Sequence, residues 1–278
     1  MPRKPATPEP KPAKTASPLI EKSSTPAVIR AARVLDLISQ SPVPLSLAEL
    51  ARSLDLPKSS LHGLCATLAQ LRLITRLDSG QMTLGPHVMS WANAFLARTD
   101  ITQEFFAAWE ELSVLPQETI TLSVLDGDSV VYIACRNGSR PLGVTFRIGM
   151  RLPAPYTATG KAMLSSLPDA EVRSRLPGPW PAPLTAAGTP NLKAFLQELA
   201  EVRVRGYSID DGEVREGMHC FGAPVFDSGG AHAVAGVAVS KLSLEINPQT
   251  QEAAGRAIRG LADRLSERLG ARLQKRQA

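Results

Sequence analysis

The stretch LPKSSLHGLCATL, residues 56–68, begins with a proline suited to the first turn of a helix and then spaces Leu61, Leu64, Cys65 and Leu68 three and four apart, with Leu71 continuing the row. That row is an apolar face for a core. The other positions, Lys58, Ser59, Ser60, His62, Gly63, Thr67 and Gln70, are small or carry hydrogen-bonding groups, with a cation near the helix start. Such a surface suits a helix entering a DNA major groove, because small side chains allow close approach while hydroxyl, amide and imidazole groups meet base edges or phosphates. A solvated face is the commoner use of polar residues on a helix, so the flanking sequence decides.

Immediately upstream, SLAELARSLDL (46–56) offers Ser46 as N-cap, Glu49 three residues on as its capping-box partner, and Leu47, Leu50, Ala51 and Leu54 as an apolar stripe. PVPL (42–45) separates it from STPAVIRAARVLDLISQS (24–41), where Ser24 or Thr25 caps a helix before Pro26 and Val28, Ala31, Ala32, Leu35 and Ile38 form the buried side. Downstream, LITRLDSGQMTLG (73–85) reads as two short strands, 73–77 and 81–84, around the turn sequence DSG. Two short helices at a tight turn followed by a basic-tipped hairpin make a winged helix-turn-helix. On it, Lys58, Ser59, Ser60, His62 and Thr67 form the candidate reading face, and Arg76 in the wing with Arg30 and Arg33 in the first helix are candidate phosphate contacts.

Charge distribution agrees. The formal net charge is +5, of which residues 1–23 carry +3 and residues 24–90 carry +2, leaving the remainder neutral. A basic front end on a neutral body favours phosphate contact through counterion release. Residues 1–23, rich in proline and charge, read as a disordered arm, with a short basic tail at 274–278. The 278 residues, 44% hydrophobic, are enough for about two domains. Three widely spaced cysteines predict free thiols in a reducing cytoplasm, and neither a signal peptide nor a membrane span is legible.

The run from Leu45 to Gly85 resembles the DNA-binding half of the IclR family of bacterial transcriptional regulators. A second stretch, GYSIDDGEVREGMHCFGAPVFD (206–227), follows that family's signature at Gly206, Asp210, Glu213, Cys220, Gly222, Val225, Phe226 and Asp227. Two positions depart from it: Phe221 replaces the usual aliphatic, and Gly63 stands where arginine is common. The resemblance covers roughly residues 24–270. It implies an α+β chain, with a winged helix-turn-helix over 24–84, a linker helix over 85–99 contributing to dimer contacts, and a GAF-like effector-binding domain over 100–273.

The residues themselves support an antiparallel sheet flanked by helices in that second domain. ETITLSVLD (118–126), SVVYIACR (129–136) and PLGVTF (141–146) read as strands, YTATGKAMLSSL (156–167) and NLKAFLQELAEVRVRG (191–206) as helices, and HCFGAPVFD (219–227) with AHAVAGVAVS (231–240) as a hairpin across SGG. A closing helix runs from about Pro248 to Leu273, with Ala254, Ile258, Leu261, Leu265 and Leu269 inward. Val88, Trp91, Ala92 and Phe95 give the linker helix its stripe.

In PAPYTATGKAML (153–164) the chain enters a helix near Thr157, which aims the backbone N–H groups of Ala158, Thr159 and Gly160 at any anion. A P-loop is excluded, since Pro155 stands for its first glycine and Ala162 for the hydroxyl after Lys161. The family resemblance implies that a small carboxylate would use the Ala158–Thr159 turn, Asp210, Met218, Cys220 and Ser240; Phe146, Met150, Tyr156 and Phe221 are candidate walls. Adjacent His219 and Cys220 suggest a nucleophile with its base, but alternate residues of a strand face opposite sides. No catalytic residue, metal ligand or cofactor is assigned. The expectation is an effector-responsive regulator, cytoplasmic and dimeric or a dimer of dimers, binding a pseudo-palindromic double-stranded DNA operator and a small carboxylate, with no membrane partner. The other reading is a ligand sensor whose winged helix mediates protein interaction or oligomerisation.

Overall fold

The computed structural model describes residues 25–97, 101–138 and 146–271. The arm, the tail and most of the PLGVTF segment therefore lie outside the described residues. The chain divides into two compact units at Phe95 and Leu96.

In the first unit, α1 (Pro26–Gln40), α2 (Leu47–Leu54) and α3 (Lys58–Gln70) surround one core, and β1 (Ile74–Arg76) pairs antiparallel with β2 (Met82–Leu84). Val34, Leu50 and Leu61 are fully buried there, each contributing about 2 kcal/mol of burial energy. The capping box on α2 forms: Ser46 Oγ accepts from the Glu49 amide, and the Glu49 carboxylate accepts from the Ser46 amide at 2.8 Å. Thr25 stands at the N-cap of α1, where its side chain makes no capping hydrogen bond to the helix. The inward side of α1 is centred on Val34 and Ile38, with Ala31 and Leu35 packed beside them; of the expected row, Val28 is 65% exposed and Ala32 also faces out, and Val34 was missed. On α3 the row holds through Leu61, Cys65 and Leu68, and Leu71, past the helix end, is exposed. Leu45, within the breaker segment, exchanges two backbone hydrogen bonds with Met82 and extends the wing sheet. Helix α4 (His87–Ala97) follows, with Val88 partly buried against this core and Trp91 exposed; the side chain of Phe95 lies outside the description.

The second unit is a six-stranded, wholly antiparallel sheet. Its order is β5 (Arg151–Pro153), β4 (Ser129–Arg136), β3 (Thr119–Asp126), β8 (Ala235–Leu242), β7 (Met218–Val225), β6 (Ser208–Asp211). One face carries α5 (Ile101–Leu112) and α9 (Pro248–Arg268) over a core that includes Phe105, Ile120, Phe221, Val239 and Leu261. The other face carries α6 (Ala158–Ser165), α7 (Asp169–Arg175) and α8 (Leu192–Arg205) over Tyr132, Met163, Phe195, Met218 and Cys220. A bulge at Ile133 breaks the β3–β4 register, so that Ile133 and Ala134 both join the α9 side and Cys135 returns to the α6 side. Sequence patterning did not reveal α5, α7, β5 or β6.

Helix α6 is buried on every side. At two points it meets the sheet without intervening side chains: a Cβ at Gly222 would lie 2.4 Å from the carbonyl oxygen of Ala158, and one at Gly236 would lie 2.9 Å from that of Thr159. Ser208 Oγ donates to the Ala158 carbonyl at 2.5 Å and fastens the same seat.

Candidate nucleic-acid interface and effector cavity

In the first unit, Lys58, Ser59, Ser60, His62, Gly63, Thr67 and Gln70 are all exposed, opposite the buried leucines of α3. Thr67 Oγ1 donates to the Gly63 carbonyl at 3.1 Å, which leaves its lone pairs outward. Nothing lies within 4 Å of a Cβ built at Gly63, so this helix has an open notch at its middle. Arg30 and Arg33 are exposed on α1, and Arg76 is exposed at the end of β1. The wing turn is held by the Gly80 amide donating to Leu77 O at 2.8 Å, with Gly80 in the left-handed conformation that favours glycine. Hydrogen-bonding groups and cations thus share the surface of one folded unit.

In the second unit, strand alternation directs Met218 and Cys220 of β7, Ala238 and Ser240 of β8, and Thr121 of β3 toward α6. With Tyr132, Phe146, Ala158, Thr159, Asp210 and Val214 they enclose a cavity of about 10 Å³. That is room for roughly one water. Sequence reasoning reached Phe146, Ala158, Thr159, Asp210, Met218, Cys220 and Ser240 and missed Thr121, Tyr132, Val214 and Ala238. Thr121, Tyr132 and Ala238 depend on strand pairing across long sequence separations, whereas Val214 lies in the turn whose amides Asp210 holds, four residues from that carboxyl.

Four sequence candidates stand elsewhere. Gly160 does not line the cavity: its amide is already capped by Thr157 Oγ1 at 3.0 Å, and a Cβ there would lie 2.1 Å from Ala154 O. Tyr156 belongs to a 3-10 turn; its hydroxyl donates to Pro181 O at 2.5 Å and its ring meets Trp180 edge-on. Phe221 alternates to the α9 face, where it packs against Tyr207 and His219. Met150 is partly buried beside the core and does not border the cavity.

The cavity lining combines two chemically distinct features. Ala158 and Thr159 begin α6, and their amides have no acceptor within the helix. Asp210 is 2% exposed and accepts hydrogen bonds from the amides of Glu213 (2.8 Å) and Val214 (3.2 Å). Burial pushes its carboxyl up to about 7, against the lowering effect of the Lys161 charge and those two amides. Cys220 Sγ donates to Ser240 Oγ at 3.3 Å, and burial holds the thiol far above its usual range, so it is a neutral wall group rather than a thiolate nucleophile. Burial likewise raises the Tyr132 phenol. His219 points to the opposite face and places Nδ1 2.9 Å from Asp211, which separates it from Cys220. Among the described residues no group of three His, Cys, Asp or Glu side chains has the geometry to hold a metal.

Behind the cavity, Lys161 of α6 is fully buried. Its ammonium donates to Glu198 of α8 (2.5 Å), to Ile209 O (2.9 Å) and to Glu213. Thr189 Oγ1 donates to the same two carboxylates. The signature stretch is thereby explained physically. Gly206 ends α8 in the left-handed conformation, Asp210 holds the turn, Glu213 pairs with Lys161, Gly222 admits α6, and the Phe226 amide donates to Ser266 Oγ on α9.

Comparison with known proteins gives the same division. Residues 27–78 match the IclR helix-turn-helix domain, and residues 93–267 match the bacterial transcriptional regulator IclR C-terminal domain. The transcriptional regulator XynR of Escherichia coli is 30% identical over 222 residues, covering 80% of this chain and 88% of that protein. The crystal structure of the repressor BlcR of Agobacterium tumefaciens is 46% identical with a TM-score of 0.60, covering 90% of this chain and 99% of that one. An IclR homologue from Microbacterium hydrocarbonoxydans, crystallised with 4-hydroxybenzoate, shares the fold with a TM-score of 0.71 at 20% identity, over 87% of this chain and 99% of that one. These relatives are transcriptional regulators, not enzymes, and no described helix is long and apolar enough to cross a membrane. The chain belongs to the IclR family of transcriptional regulators, with an N-terminal helix-turn-helix DNA-binding domain and a C-terminal α/β domain.

Proposed function

We propose that the protein binds its operator through α3 and that a small organic acid in the α6 cavity alters that binding. The observation that carries this reading is a cavity lined by the first two residues of α6, Ala158 and Thr159, together with Asp210 and Cys220 of the signature stretch and Ser240 of β8. A carboxylate is the ligand class that the amides favour. The 4-hydroxybenzoate seen with the Microbacterium protein is an organic acid of that protein, and it is one suitable probe here. Lys58, Ser59, Ser60, His62 and Thr67 are assigned to the groove, and Arg30, Arg33 and Arg76 to phosphates, because all are exposed on the helix-turn-helix unit. A homodimer, or a dimer of dimers, would present two reading helices to a pseudo-palindromic site.

The cavity holds only about one water, so a ligand displaces wall groups such as Phe146 and Val214 when it enters. Ligand-bound and ligand-free states therefore differ, which is the condition for a shift in DNA affinity. The test is a titration of a labelled promoter fragment beside the protein's own gene, against scrambled competitor, with and without a panel of small organic acids. Specific, salt-sensitive binding that one acid changes is the expected result. No specific binding at low salt by a well-folded protein would return the outer face of α3 to solvent or to a protein partner.

A further inference from the structure

Resting on the organic-acid reading of the cavity, we propose that a carboxylate effector enters together with one proton, shared between its own carboxyl and that of Asp210. The inference comes from counting charges and donors. None of the residues lining the cavity is basic. The cation acting on Asp210 is Lys161, and its three N–H donors are all engaged, by Glu198, Glu213 and the Ile209 carbonyl. One ammonium thus already faces Glu198, Glu213 and Asp210 before a ligand arrives. A second ionised carboxyl in a cavity of about 10 Å³ would meet that of Asp210, itself 2% exposed, with no cation among the described lining residues to offset it.

Two carboxylates so placed do not both ionise. One proton resolves the conflict and creates a charge-assisted O–H···O⁻ bond between them. The remaining negative charge then lies toward the amides of Ala158 and Thr159.

The other titratable groups around Asp210 do not supply this proton balance. Glu213, in its own turn, and Glu198, on α8, are committed to Lys161. Cys220 on β7 and Tyr132 and Cys135 on β4 are each raised by burial and stay neutral. His219 and Asp211 pair with each other on the far face of the sheet. The carboxyl of Asp210, raised to about 7, is the one poised to accept the proton near neutrality.

The experiment is calorimetric titration of the full chain with acetate, glycolate and 4-hydroxybenzoate, in two buffers of different ionisation enthalpy. Expected are uptake approaching one proton per bound ligand at about pH 8, and affinity that weakens about tenfold per pH unit above about pH 7. Asp210→Asn is expected to bind with no proton uptake and with affinity flat over the same range. Wild-type binding without proton uptake overturns this proposal and leaves the organic-acid reading standing. No binding by any probe, even at about pH 6 where Asp210 is largely protonated, overturns the organic-acid reading together with it. The wild-type measurement decides on its own if Asp210→Asn does not fold.

Discussion

Helices α3 and α6 are built from similar material: both are short, both carry small and hydroxylated residues, and each contains a glycine. Their surroundings are opposite. A Cβ on Gly63 of α3 would meet nothing within 4 Å, whereas one on Gly160 of α6 would lie 2.1 Å from a carbonyl oxygen. Lys58 of α3 is exposed, while Lys161 of α6 is fully buried against two carboxylates. In the proposed reading the first helix recognises with its side, which must stay open to a macromolecule, whereas the second offers its N-terminal end while its cylinder is buried. On that reading small polar residues serve recognition in both cases, and burial separates a groove partner from a small-molecule one.

Six substitutions at five positions would break or sharpen this contrast. The largest effect is expected from Lys161→Ala, which strands Glu198 and Glu213 around an empty centre and should cost about 3–5 kcal/mol in urea unfolding. Lys58→Ala should change stability by less than about 0.5 kcal/mol. Next, Gly160→Ala should cost about 3 kcal/mol, because the Ala154 carbonyl that blocks its Cβ is backbone and has little room to yield.

Asp210→Asn should stabilise the fold in a pH-dependent way. Between the ordinary carboxyl value of 3.8 and about 7 the folded chain retains a proton that the unfolded chain has lost, so wild-type stability falls as pH rises through that window and stays low above it. Thermal unfolding should therefore show the variant gaining about 2 kcal/mol more at pH 8 than at pH 5. Equal gains at both would remove the buried, raised carboxyl. Apart from the Lys58→Ala control, the smallest effect belongs to the open notch: Gly63→Ala should stabilise by about 1 kcal/mol, and Gly63→Arg should tighten DNA binding generally and steepen its salt dependence by about one counterion. Unchanged titrations at two salt concentrations would take Gly63 out of the interface.

The first unit was readable because its information is local. The Ser46–Glu49 capping box and the Leu61–Cys65–Leu68 row can be recognised in any window of a dozen residues. The error on α1, where Val34 rather than Val28 centres the buried side, arose because alanines made two rows look alike. The second unit was readable only in part. Asp210, Cys220 and Ser240 came through the family signature and its relatives, and β7 and β8 were plain alternating strands. Tyr132 and Thr121 required the register of β3 on β4 and the bulge at Ile133, which tertiary pairing fixes. Lys161 looked like part of a failed phosphate loop; its partners lie 37 and 52 residues away, beyond any spacing rule.

The glycine seat beneath α6 bears on how this domain diversifies. Gly222 and Gly236 let helix and sheet meet backbone to backbone, so this part of the mount does not depend on the side chains that line the cavity. In the proposed reading, a change at Thr121 or Ser240 would alter the cavity while the glycine contacts persist. Seat and selectivity then sit on separate residues, and a lineage of such regulators could acquire a new effector by rewriting a few strand positions without relearning how to fold.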